Sequence, residues 1–148
     1  MKFSVVILPE HPWDQAVSIW QRAERLGFEQ AWTYDHLAWR TLADGPWYAA
    51  MPTLTAAALA TTTMRIGTLV ASPNFRHPVP FAKELVTLDD ISGRRLTLGL
   101  GAGGIGFDAT VLGQTVLPAK DRADRFVEFV ELLDHLLHAD HTSKSGDY

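Results

Sequence analysis

The sequence predicts an α/β fold with an all-parallel sheet, and three observations carry that reading. Four short apolar runs alternate strictly with longer helical stretches, so each strand returns by a crossover rather than a hairpin. The run Phe3 to Leu8 is close to continuously apolar, as in strands covered on both faces. The third and fourth runs end in small or turn residues, Ala71–Ser72–Pro73 and Gly99–Leu100–Gly101, which leaves an open, glycine-lined end where α/β proteins bind ligands.

The first strand is the run Phe3 to Leu8, ended by Pro9. Asp14 is a suitable N-cap for a helix whose Val17, Trp20, Ala23 and Leu26 fall near helical spacing, with Gly27 as its C-cap. Gln30 to Tyr34 is the second strand. A Trp-rich loop follows from Asp35 to about Met51, and loops of that length in a compact domain usually carry function. The Ala/Thr/Leu stretch from Pro52 to Thr63 reads as the second helix and Arg65 to Ala71 as the third strand. After Pro78–Val79–Pro80, Phe81, Leu85 and Leu88 mark a helix ending near Gly93, and Leu96 to Leu100 is the fourth strand. Phe107 to Pro118 reads as loop. A last helix begins near Asp121, with Phe126, Phe129, Leu133 and Leu136 forming its apolar stripe.

Four βα pairs suit either a doubly wound sheet or a barrel. A (βα)8 barrel takes about 250 residues, and this chain of 148 residues has material for half of one. The tail from His141 to Tyr148 shows no further strand, and the first and fourth strands would have unpaired edges. The expectation is one domain, 1–148, forming the N-terminal half of a larger barrel, truncated or cut, or a half-barrel that self-associates into a homo-oligomer. With 47% hydrophobic and 20% charged residues the composition is that of a globular domain. A net charge of −4 and no Lys/Arg cluster argue against nucleic acid and anionic membranes. There is no cysteine, hence no disulfide or thiol chemistry; the start is unlike a signal peptide, and no apolar stretch reaches the ~18 residues of a membrane helix. A cytoplasmic protein acting on a small molecule is expected.

The pair Asp35–His36 follows the second strand, at the end where loops of a parallel barrel build active sites. A histidine there exchanges protons near neutral pH, and the adjacent carboxylate can orient it; the alternative is a loop histidine bonded to backbone. Gly101–Ala102–Gly103–Gly104–Ile105–Gly106 formally matches the dinucleotide fingerprint G-x-G-x-x-G, but it follows the fourth strand rather than the first and leads into loop. Close packing at the rim is one alternative, and room for a flat ring is another. Leu69–Val70–Ala71 reads as buried strand running into a proline turn. Arg122 shares the apolar stripe of the last helix at its first turn, which directs it to the ligand end, or else it caps or pairs locally with Asp121; Arg125 reads as a solvated partner of nearby carboxylates. His11, His36 and His77 follow the first three strands, so a metal-dependent hydrolase is a further alternative, although a two-histidine motif on the first strand is absent and no metal ligand is assigned. Trp39 and Trp47 can wall a ring pocket or anchor the loop.

Thr33–Tyr34–Asp35–His36, Arg76–His77–Pro78, the run Gly93 to Gly101 and the run Asp121 to Glu128 together resemble the luciferase-like monooxygenase family, with the likeness extending over essentially the whole chain. The resemblance implies an eight-stranded α/β barrel and an oxidoreductase or monooxygenase that uses FMN or the deazaflavin coenzyme F420, the Asp-His pair leaning to the deazaflavin branch. It implies His36, with Asp35, beside the reactive ring edge. It also implies a bulge with a non-proline cis peptide at Leu69–Val70, next to Ala71, under the central ring, and glycines Gly101, Gly103 and Gly104 with Ala102 along it. Arg122 would contact the cofactor phosphate. Some deazaflavin-dependent members carry an acidic residue where this chain has Gly104. A catalytically inactive flavin-binding half-barrel is the alternative to an active enzyme.

Overall fold

The computed structural model describes residues 1–39, 44–139, 143–146 and 148; positions 40–43 of the Trp-rich loop and 140–142 and 147 of the tail lie outside the described residues. The elements are β1 (Ser4–Val6), α1 (Trp13–Arg25), β2 (Gln30–Thr33), α2 (Ala50–Ala60), β3 (Arg65–Ala71), α3 (Pro78–Ile91), β4 (Leu96–Leu100), a 3-10 turn (Phe107–Ala109) and α4 (Ala119–His138). All strand pairs are parallel and the order is β1-β2-β3-β4. Strands that neighbour in the order of the chain, with no reversal, decide between the two architectures: a doubly wound sheet reverses its order, whereas this one is half of a TIM barrel.

One row of the register, Val5, Ala31, Ile66 and Leu96, runs across all four strands into the core. Trp20, Leu54, Phe81, Leu85 and Phe129 close over it from the helices. In the next row Gly67 sits between Trp32 and Thr97, and a Cβ there would strike the Thr97 carbonyl, so β3 and β4 require glycine at this crossing. β1 and β4 are the edges; every residue of β4 is only half-buried, and Phe3 and Val6 beside the first edge are exposed.

Most departures from expectation are at element ends. Asp14 lies inside the first turn of α1 and Pro12 is the N-cap, so the acidic side chain meets the positive helix end rather than capping it. Leu26 is the C-cap and Gly27 follows in the left-handed region at φ +81°. α2 starts at Ala50, with Pro52 tolerated in its first turn, and α3 starts at Pro78. β1 is shorter than its apolar run, although Ile7 N–H still donates to Trp32 O at 2.8 Å.

Away from the glycine-lined end, Glu24 of α1 accepts hydrogen bonds from the backbone N–H groups of Thr62, Thr63 and Met64 and so fixes the entry to β3. Burial alone would push its pKa up. The backbone N–H groups of Thr63, Met64 and Thr62 and the Thr63 hydroxyl outweigh it and bring the value down to about 2 from 4.5. A depressed folded-state value means that the stabilisation is complete above pH 4.5 and is lost as the pH falls through about 2. Glu24→Gln is therefore expected to cost about 1 kcal/mol at neutral pH after solvent screening. Urea unfolding of the two proteins should show the gap closing between pH 4.5 and about 2; a gap independent of pH would refute this role.

Candidate active site

Consecutive side chains leaving a strand point to opposite sides, and this separates the two residues that follow β2 and Tyr34. His36 Nδ1 hydrogen-bonds Asp108 Oδ2 at 2.5 Å, and Leu37 N–H donates to Asp108 Oδ1 at 2.9 Å. Asp35 turns the other way. Its carboxylate, 2% exposed, receives Arg76 Nη2 and Nε, each at 2.8 Å, in a bidentate pair. The expectation that Asp35 orients His36 is thus corrected: the carboxylate on the imidazole is Asp108, from the 3-10 turn after the glycine run. Arg76 also donates to Glu84 at 2.9 Å. Burial would lower the Arg76 pKa, but the Asp35 and Glu84 carboxylates outweigh it and hold the guanidinium firmly charged.

The Trp39 ring lies 4.4 Å from the His36 ring at 31°, and Tyr34 meets Trp39 edge-on at 5.2 Å. Trp47 instead anchors the loop, its indole N–H donating to His36 O at 2.7 Å. On β3 the register slips between Thr68 and Ala71, and the peptide between Leu69 and Val70 is cis, as the family likeness implied. Just beyond β4, Gly101 faces the Val70 side chain closely, Gly103 has φ +82° and abuts Asn74, and a Cβ at Gly104 would make only ordinary contact with Gly106 N at 4.0 Å.

These pieces surround one cavity of about 650 Å³. His36, Trp39, Val70, Asn74, the run Gly101 to Gly104 and Phe107 are among its walls. Of the residues expected in the site, His36, Val70, Gly101, Ala102, Gly103 and Gly104 are therefore brought together, with Leu69 and Ala71 flanking Val70 on the strand. Arg122 is not among them: its guanidinium donates to Leu117 O at 2.8 Å. Arg125 takes the place next to the cavity, which corrects its reading as a solvated partner of carboxylates. Its Nη2 donates to Asn74 Oδ1 at 2.5 Å, its Nε is buried without a partner among the described residues, and it borders a second cavity of about 250 Å³ that shares Asn74 with the first. Burial lowers the Arg125 pKa, and Arg122 nearby adds to this, partly offset by Tyr148.

The whole chain, residues 1–148, matches the family model for luciferase-like monooxygenases. The chain belongs to the luciferase-like monooxygenase family. It is 33% identical to the 4-hydroxyprotoasukamycin monooxygenase of Streptomyces nodosus subsp. asukaensis over 95% of its own length and 38% of the relative's. It is 34% identical to the F420-dependent glucose-6-phosphate dehydrogenase of Amycolatopsis mediterranei over 86% of this chain and 38% of that one. A solved F420-dependent secondary alcohol dehydrogenase, in complex with an F420-acetone adduct, superposes with a TM-score of 0.85 at 27% identity, over 100% of this chain and 46% of the other. The chain thus spans less than half the length of these luciferase-like relatives.

Among the described residues no three His, Asp or Glu side chains form a metal-binding group. His77 caps α3 by accepting from Val79 N–H at 3.3 Å, and His11 lies 3.9 Å from Glu10, so the three post-strand histidines do not converge as the hydrolase alternative requires. No helix of the described residues is long and apolar enough to cross a membrane. Sequence reasoning missed Asp108, Asn74 and Arg76. The one available signal was a carboxylate placed two residues beyond a glycine-rich strand end.

Proposed function

We propose that this chain supplies the ring-binding and proton-handling side of a hydride-transferring oxidoreductase that uses coenzyme F420 or FMN, acting on a small organic substrate. The observation that carries the reading is the cavity shared by a partnered histidine, the β3 bulge and a glycine-rich run whose largest side chain is the methyl of Ala102. The residues present fit a flat tricyclic ring. Gly101, Gly103 and Gly104 leave its face uncovered, Val70 and the Trp39–His36 pair offer apolar contact, and in the adjoining smaller cavity Arg125 Nε, buried without a partner among the described residues, offers a donor to an anionic tail. Relatives named as F420-dependent support the deazaflavin choice. When bound, such a ring supplies hydride transfer. The chain's own residues orient it and exclude water, while His36 holds or moves a proton beside it.

In this reading Arg122 and Arg125 together serve the anionic tail of the cofactor. Further βα units, supplied in the relatives by the remainder of their chains or here by a second copy, close the barrel over the edges of β1 and β4 and complete the substrate pocket.

Absorbance and fluorescence titration with FMN and, separately, F420 tests the proposal. Saturable binding of one ring system is the expected result, and binding of neither would overturn it. Arg125→Ala and Arg122→Ala are expected to raise the dissociation constant about 10-fold, the scale of one lost charged hydrogen bond at a partly exposed site. Unchanged constants in both variants would remove the two arginines from the tail site.

A further inference from the structure

The geometry points to Asp108 as the positioning residue that selects the tautomer of His36, so that the neutral imidazole presents an unprotonated Nε2 to whatever fills the cavity. The inference rests on the proposed role of His36, but its first readout does not need a cofactor.

Asp108 is 5% exposed, and both of its carboxylate oxygens are committed: Oδ1 to Leu37 N–H and Oδ2 to His36 Nδ1. A carboxylate only accepts, so a neutral His36 must carry its proton on Nδ1. Nε2 is then the nitrogen without a protein partner among the described residues, on a side chain that lines the cavity and is 30% exposed. The other charged groups of the neighbourhood are already matched, since Asp35 holds Arg76 and Arg76 also holds Glu84. The Tyr34 ring stands nearly perpendicular to the imidazole, 6.2 Å between centroids. Among the described residues Asp108 is thus the single carboxylate hydrogen-bonded to the imidazole. Nε2 accepts a proton from an acidic ligand hydrogen: the ligand O–H bond breaks with its electron pair left on oxygen, and the new N–H bond forms from the Nε2 lone pair. The resulting imidazolium stays paired with Asp108 and can return the proton from the same nitrogen.

The same two hydrogen bonds determine what an amide does at this position. In Asp108→Asn the amide oxygen must stay with Leu37 N–H, because an NH2 group there would face a donor. The NH2 group is then left against His36 Nδ1, which has to accept, and the ring proton moves to Nε2. The isosteric variant therefore reverses the tautomer rather than loosening the ring.

The test is nitrogen-15 NMR of the histidine side chains in the uniformly labelled protein, with His36 assigned from the loss of its signals in His36→Gln. The neutral ring of the wild type is expected to show a protonated Nδ1 and an unprotonated Nε2. Asp108→Asn is expected to show the reverse, together with a turnover lowered about 10²-fold or more. Asp108→Glu, which restores an acceptor-only partner, should recover the wild-type tautomer. A wild-type ring protonated on Nε2 overturns the inference even if no variant folds. So does an Asn variant that keeps the Nδ1 proton, or one that reverses it and retains full turnover. Normal tautomers in a protein that binds neither FMN nor F420 would instead count against the proposed function and leave this positioning role standing.

Discussion

His36→Ala should fold like the wild type and turn over its substrate about 10²-fold or more slowly, the scale of a lost general acid or base. The side chain is 30% exposed, so its removal leaves little void, and Asp108 keeps the Leu37 N–H as a partner. The loss should fall on kcat rather than on cofactor affinity, because the cradle from Gly101 to Gly104, Val70 and Arg125 is untouched. Steady-state kinetics with a thermal melt of each protein separate the two contributions. Equal turnover in both proteins would remove His36 from the chemistry.

The largest effect on stability is expected from Arg76→Ala. It leaves the Asp35 carboxylate, 2% exposed, without the bidentate partner that holds it at 2.8 Å on both oxygens. Stranding one member of a buried pair costs about 3–5 kcal/mol, against a total of about 5–15 kcal/mol for a typical domain. Some packing is lost as well, since the guanidinium lies 4.9 Å from the Phe81 ring centre. Glu84 is half-exposed and can turn to water, so its share is small. The midpoint and slope of denaturant unfolding measure this. A loss under about 1 kcal/mol would mean that the carboxylate is rescued by solvent or neutralised. Asp35→Asn should lose stability in the same way. The turnover of its folded fraction then reports what Asp35 does for chemistry once its partnership with Arg76 is accounted for.

The contrast between Asp35 and Asp108 shows what the sequence could and could not convey. Local rules placed β3 and β4 at Arg65–Ala71 and Leu96–Leu100, where the structure has them, because strand composition and punctuation are properties of neighbouring residues. The partner of His36 is 72 positions away, and adjacency in the chain favoured Asp35, although successive residues along an extended segment face opposite ways. The same limit applied on α4. The stripe through Arg122, Phe126 and Phe129 is a fair helical face, yet the second, smaller cavity is met by Arg125, Glu128, Phe129 and Leu132, about one residue's rotation away. Periodicity supplies a face, whereas the neighbour that the face meets is decided by the packing of α3 and α4. The cis peptide at Leu69–Val70 has no composition signal at all; it was legible only through family likeness.

Asn74 has every polar atom beyond its own amide N–H in use. Its carbonyl accepts from Gln114, its Oδ1 accepts from Arg125, and its Nδ2 donates to Gly104 O. An aspartate would lack the donor and a serine the reach, and at Gly103 an added Cβ would strike Asn74 Oδ1. Positions 74 and 103 are therefore interlocked in their choice of residue: an amide of this length at one demands glycine at the other. Substitution at one forces a shift at the other, whereas the remaining walls of this cavity can vary without disturbing the pair.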